Sequence, residues 1–170
     1  MQFSDFVTEA MTQICNQAAK LHYRWGQQAD LVVRMPTGAG VVAGPFHSQS
    51  TEAWFARVPG LKVVYPSNPA QAKGLLLRAF EDPNPVLFFE HKNLYRSLES
   101  DVAPEYYSLP LDRAVRVAEG EELTVIAYGW AVHWVQDWMK RNPSVSVDLI
   151  DLVSLRPIDW PTLENSVRKT

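Results

Sequence analysis

Leu61-Lys62-Val63-Val64-Tyr65, then Pro66-Ser67-Asn68-Pro69, then Pro85-Val86-Leu87-Phe88-Phe89-Glu90: the reading of these three stretches decides the fold. The first and third are near-continuous apolar runs, too short for helices and suited to strands buried on both faces. The second opens a helix, with Ser67 or Asn68 as N-cap and Pro69 in the first turn. Its apolar stripe continues through Ala72, Leu75, Leu76 and Ala79. Asp82-Pro83-Asn84-Pro85 then turns the chain into the last run. Strand, helix and strand in this rhythm predict a parallel sheet wound with helices, an α/β fold.

Upstream, Asp30 to Met35 reads as a strand ended by Pro36. Thr37 to Ser48 is a loop punctuated by Gly38, Gly40 and Gly44, and Ser50 to Val58 is a short helix. Ser4 or Asp5 can cap a first helix whose stripe runs through Phe6, Val7, Ala10, Met11, Ile14, Cys15, Ala18 and Leu21. Downstream, residues 92–112 are polar and carry Pro104 and Pro110, which predicts an inter-domain linker. A second α/β unit follows: strands at 114–117 and 123–128, a helix at 131–140 and a strand at 145–151. Pro161 begins a last helix that stops at Thr170. The expected division is 1–91, 92–112 and 113–170. A second unit closing on a helix with no strand after it reads as a truncated domain.

Sixteen basic and nineteen acidic residues are mixed along the chain, for a net charge of −3. Without a basic block, nucleic acid and anionic membrane surfaces are disfavoured as partners. The longest apolar runs fall well short of the ~18 residues that cross a bilayer, and Met1 to Asp5 has no signal-like character. Cys15 has no second cysteine to pair with, and its helical spacing marks it as core.

Gly38-Ala39-Gly40-Val41-Val42-Ala43-Gly44 nearly matches a dinucleotide fingerprint. Its third glycine is one residue late, Pro45 follows where a helix should open, and Pro59 and Gly60 stand where an acidic residue belongs. The glycines instead suit a backbone passing close to something bulky, a ligand or another chain. His47 lies on this loop and could move a proton; from local sequence alone a structural loop histidine is the better reading. His22, His91 and His133 read as structural, and the histidines lack the clustering of a transition-metal site. The six tryptophans suit core or interface anchors.

Several segments together closely resemble the beta subunit of the thiamine-diphosphate-dependent decarboxylating component of 2-oxo acid dehydrogenase complexes. They are Gln2-Phe3-Ser4-Asp5-Phe6, Arg34-Met35-Pro36-Thr37-Gly38-Ala39-Gly40, His47-Ser48-Gln49-Ser50-Thr51-Glu52-Ala53 and Pro59-Gly60-Leu61-Lys62-Val63-Val64-Tyr65-Pro66. Ala72-Lys73-Gly74-Leu75-Leu76, Asp82-Pro83-Asn84-Pro85-Val86 and Leu152-Val153-Ser154-Leu155-Arg156-Pro157 extend the series. The resemblance implies a transketolase-like pyrimidine-binding domain followed by part of a transketolase C-terminal domain. It implies decarboxylation of a 2-oxo acid, branched-chain before pyruvate, and acyl transfer to lipoamide. Thiamine diphosphate with magnesium would be held jointly with an alpha subunit, separate or fused upstream. A second beta subunit and a lipoyl-bearing acyltransferase would complete the assembly, in bacterial cytoplasm first and the mitochondrial matrix second.

Carried over position by position, Phe6 would pack on the aminopyrimidine, with Gln2 as a nearby polar contact. His47 would be the catalytic histidine near the lipoyl group. Leu31, Ala79, Phe80, Asp82 and Asn84 would surround a structural potassium ion, mostly through backbone oxygens. The family's cofactor-activating glutamate has no counterpart in these 170 residues, so this stretch alone is expected to be inactive. The alternatives are a transketolase-like or deoxyxylulose-phosphate-synthase-like thiamine enzyme, or a catalytically silent structural partner.

Overall fold

The structure is a computed structural model describing residues 1–170. A helical lead-in comprises 3-10 turns at Ser4–Ala10 and Ala18–Lys20, a π turn at Thr12–Gln17 between them, and α1 at Leu21–Trp25. Next come β1 (Val32–Thr37), a 3-10 turn at Pro45–His47, α2 (Glu52–Ala56), β2 (Lys62–Val64), α3 (Pro69–Phe80), β3 (Val86–His91) and α4 (Leu94–Ser97). The remainder is β4 (Val115–Ala118), β5 (Leu123–Ala127), α5 (Trp130–Arg141), β6 (Val147–Asp151), β7 (Ser154–Arg156) and α6 (Trp160–Lys169). No helix is long and apolar enough to cross a membrane.

The first sheet has the order β1-β3-β2-β7. β1 and β2 both run parallel to β3, as the apolar runs predict. Central β3 is buried on both faces. Leu87 and Phe89 meet the lead-in helix (Val7, Ile14) and Phe55 on one side. Val86 and Phe88 meet Leu75 and Ala79 of α3 on the other. Asn68 caps α3, its side chain accepting from Gln71 N at 2.9 Å, with Pro69 in the first turn.

Three expectations need correction. Pro36 does not end β1, which pairs through Pro36↔Glu90 to Thr37↔His91. β1 is an edge strand, where a residue without an N–H is tolerated. Ser4 and Asp5 do not cap the lead-in helix. Their side chains reach across the chain instead, Ser4 Oγ donating to Thr37 Oγ1 at 3.0 Å and Asp5 Oδ1 accepting from Gln49 N at 2.9 Å. Finally, Leu152 to Arg156 holds an unforeseen strand, β7, which leaves the second unit and pairs antiparallel with β2.

The second sheet has the order β4-β6-β5, with β5 parallel and β4 antiparallel to β6. The segment between the sheets lies along α3. Leu109 N donates to Gly74 O at 3.0 Å, Tyr107 Oη to Ala70 O at 2.9 Å, and Leu111 is buried among the α3 side chains. A polar network joins the units. Ser67 Oγ and Gln71 Nε2 donate to Asp151 Oδ2 at 2.5 and 2.9 Å, and His133 Nε2 lies 2.7 Å from Ser67 O.

Candidate active site

In open α/β sheets, ligands bind beyond the carboxyl ends of the parallel strands. Thr37 and His91 close β1 and β3 side by side, and Lys92 follows. The lead-in segment brings Phe3 and Phe6 to the same place, and the glycine loop brings His47. The His47 ring centre lies 5.5 Å from that of Phe3 and 5.4 Å from that of Phe6, each contact edge-on at 74°. Lys92 Nζ donates to His47 O and sits 4.6 Å from the centre of the Phe3 ring. The loop is pinned at its ends. Gly38 N donates to Gln49 O at 2.9 Å, and Thr37 Oγ1 donates to the same carbonyl at 3.0 Å.

The bulky groups behind the glycine loop belong to this chain. A side chain on Gly38 would meet the His91 ring at 2.3 Å, and one on Gly40 would meet Trp130 at 3.0 Å. His91 packs on Trp130 with ring centres 4.9 Å apart. Burial, reinforced by the Lys92 charge, takes its pKa down to about 4, so the imidazole is neutral at pH 7.

The start of α2 is polar, buried and incompletely satisfied. Asp5 Oδ2, Thr51 Oγ1 and Glu52 Oε2 are buried without a hydrogen-bond partner. Glu52 Oε1 accepts from Tyr128 Oη at 3.1 Å, across the junction of the two units. Burial pushes the Glu52 carboxyl above the ordinary carboxylate range, although the Tyr128 bond opposes this. Asp151 is likewise raised by burial. A carboxyl raised on folding contributes stability that is complete below its unfolded value, about 4.3 for Glu, and lost as pH rises through its folded value. Glu52→Gln keeps an acceptor for Tyr128 and removes the titration. Its melting temperature relative to wild type is therefore expected to climb as pH rises above about 4.3, the unfolded value. A constant difference across a pH series of thermal melts would refute this.

Phe6 and His47, two of the carried-over residues, meet directly. Gln2 lies exposed beside Phe3. Leu31, Ala79, Phe80, Asp82 and Asn84 gather at the opposite end of the sheet. Leu31 O accepts from Val86 N at 2.8 Å, and Ala79 O accepts from Asp82 N at 3.3 Å. The Asp82 carboxylate is already engaged. Lys62 Nζ donates to Oδ2, while Asn84 N and Nδ2 each donate to Oδ1 at 3.0 Å. Burial acts to raise its pKa, but these bonds outweigh it and hold the carboxyl below its ordinary value. The side chain therefore does not fit a metal ligand, and a cation here would depend on backbone oxygens.

Phe3, Asp5, Glu52 and Lys92 were not singled out as site residues in the sequence. The i, i+3 spacing of Phe3 and Phe6 was an available signal for the first. The others become visible only when the lead-in segment, the glycine loop and the end of β3 are brought together.

Residues 1–97 match the family model for the pyrimidine binding domain of transketolase, and residues 112–170 match that for the transketolase C-terminal domain. Over its whole length the chain is 45% identical to 2-oxoisovalerate dehydrogenase subunit beta 2, mitochondrial, of Arabidopsis thaliana, covering 49% of that protein. It is 43% identical to 2-oxoisovalerate dehydrogenase subunit beta of Bacillus subtilis, covering 53%. It is 41% identical to the pyruvate dehydrogenase E1 component subunit beta of Acholeplasma laidlawii, again covering 53%. The chain thus spans about half the length of the curated relatives it matches. A solved split gene transketolase, described as an inactive beta4 tetramer, superposes with a TM-score of 0.76 at 24% identity. That match covers 99% of this chain and 53% of the other, and is a likeness of fold.

Proposed function

We propose, because the chain belongs to the family of transketolase pyrimidine-binding domains, that it is the beta-subunit part of a 2-oxo acid dehydrogenase. The whole enzyme would decarboxylate a 2-oxo acid on thiamine diphosphate and pass the acyl group to lipoamide. The observation that carries this reading is the meeting of Phe3, Phe6 and His47 beyond β1 and β3. Branched-chain 2-oxo acids come before pyruvate, in line with the names of the relatives at 45% and 43% identity.

When bound, thiamine diphosphate supplies the heterocycle that accommodates the electron pair released by decarboxylation. The residues present fit its aminopyrimidine. Phe6 is 43% exposed and offers a flat apolar face, with Phe3 alongside and Gln2 as a polar contact. His47 is half-buried at the mouth of this cluster, placed to donate or hold a proton during acyl transfer. On this reading magnesium and the diphosphate would be held by an alpha subunit, as the family resemblance implies. A second beta subunit and a lipoyl-bearing acyltransferase are the further partners. Bacterial cytoplasm is the favoured location, with the mitochondrial matrix second. Residues 92–112 are taken as the boundary between domains 1–91 and 113–170.

The test is turnover of 2-oxoisovalerate and pyruvate by the full-length gene product with its alpha partner. Consumption of either acid with acylation of a lipoyl domain supports the reading, and the ratio of rates ranks the substrates. Thiamine diphosphate binding without turnover of either acid would sink it.

Potassium at the α3–β3 turn is part of the same proposal, with Leu31, Ala79, Phe80, Asp82 and Asn84 around it, mostly through backbone oxygens. Potassium chloride is expected to raise the melting temperature above that in sodium chloride at equal ionic strength. Coincident melts would remove the ion from the proposal.

A further inference from the structure

We propose that Lys92 is the positioning residue that fixes the His47 loop against the aromatic pair Phe3 and Phe6. The lysine backbone is rigidly placed. Lys92 N donates to Thr37 O at 3.0 Å, carrying the β1–β3 ladder one step past the strands. The residue is only 7% exposed, unusual for a lysine unless its ammonium is engaged. Here the engagement is threefold: a hydrogen bond to His47 O, the face of Phe3, and the charge of nearby Asp5.

The segment it holds needs holding. Residues 39–46 are all exposed, and His47 N has a single long bond of 3.3 Å, to Gly44 O. The ammonium is thus the one side chain seen tying the His47 peptide to the sheet. A charged donor makes a stronger hydrogen bond than a neutral one, and the cation on the Phe3 face links the loop to the lead-in segment. One group therefore sets both the height of His47 above the sheet and the angle of Phe3 beside it. Burial holds the ammonium pKa below its ordinary value, with Asp5 opposing. That fits a charge placed here for its contacts rather than for solvation.

The consequence for acyl transfer rests on the reading of His47 given above; the consequence for loop position does not. Lys92→Met keeps the apolar stem and removes the charge and all three donors, while Lys92→Arg keeps a cation and donors. The first measurement is the rate at which diethyl pyrocarbonate modifies His47 relative to His133, read by mass spectrometry on the protein without cofactor. Lys92→Met is expected to raise that ratio by roughly threefold or more as the loop opens locally, and Lys92→Arg to bring it back toward wild type. An unchanged ratio in Lys92→Met overturns the proposal. So does loss of the cooperative melt in that variant, which would make Lys92 a general folding residue.

The second measurement is acylation of a lipoyl domain by the full-length protein with its alpha partner. Lys92→Met should lower it by about tenfold to a hundredfold, the scale of a misplaced catalytic group, with Lys92→Arg recovering most of the loss. Wild-type acylation by Lys92→Met overturns the link to catalysis. A wild-type complex that acylates no lipoyl domain sinks the functional reading of His47, while the modification ratio still decides whether Lys92 holds the loop.

Discussion

Gly60→Ala is expected to remove a large part of the stability of the native state. Gly60 has φ of +90°, a conformation that an L side chain rarely adopts, and strain of this kind costs on the order of 1–3 kcal/mol. Space is the larger obstacle. A Cβ on Gly60 would lie 1.9 Å from Ala19 O and 2.9 Å from Ala19 C, both backbone atoms that no rotamer change can move aside. The lead-in helix would have to lift from the turn before β2, and with it Val7, Ile14 and Ala19 would leave the core they share with Val63 and Phe89. Overpacking adds roughly 1–3 kcal/mol, so the total of about 2–6 kcal/mol is a large share of the ~5–15 kcal/mol by which domains are stable. Circular dichroism and the soluble yield of the purified variant read the outcome directly. A Gly60→Ala protein that melts within a few degrees of wild type would mean that this contact yields easily, and that the lead-in helix is not locked as described.

His47→Ala carries the largest expected effect on activity. If the proposed function holds, reductive acylation of a lipoyl domain by the full-length protein with an alpha partner should fall by about 10²- to 10⁴-fold, the usual contribution of a positioned proton-transfer group. Thiamine diphosphate affinity should change far less, because the flat faces of Phe3 and Phe6 survive the substitution. The two losses separate the role of the imidazole from its packing. His47 touches both aromatic rings edge-on, so a purely structural histidine would loosen the cofactor pocket and weaken binding in proportion to rate. Equal losses would assign His47 to the pocket wall. Near-normal acylation would leave the catalytic proton to a group supplied by another subunit.

The strands and helices that could be read in the sequence are those whose pattern is decided locally. The apolar run from Val86 to Phe89 declares itself because both faces of β3 are buried, and α3 announces its start through Asn68 and Pro69. β7 could not be read in this way. It is three residues long, alternates no pattern, and exists because β2 offers it an edge. Pro36 misled for a related reason, since whether a proline ends a strand depends on which neighbour lies beside it. The site divides along the same line. His47 can be suspected from its glycine loop, and a catalytic role for it, like a cofactor contact for Phe6, is expected only through family resemblance. Lys92 looked like an ordinary charge after a strand. Its role depends on Phe3, Asp5 and His47, which lie 45 to 89 positions away in the chain and meet only in the folded molecule.

The route of the chain through β7 also bears on what would follow a break elsewhere. The backbone leaves the first sheet after β3, builds all three strands of the second sheet, and then returns a strand to the first before closing on α6. The two halves are therefore buckled together like a strap passed back through its own clasp. A protease nick between residues 98 and 112 would sever the covalent connection but leave β7 stitched to β2, with Asp151 still gripped by Ser67 and Gln71. The nicked molecule would travel as one particle through a sizing column and come apart only in denaturant.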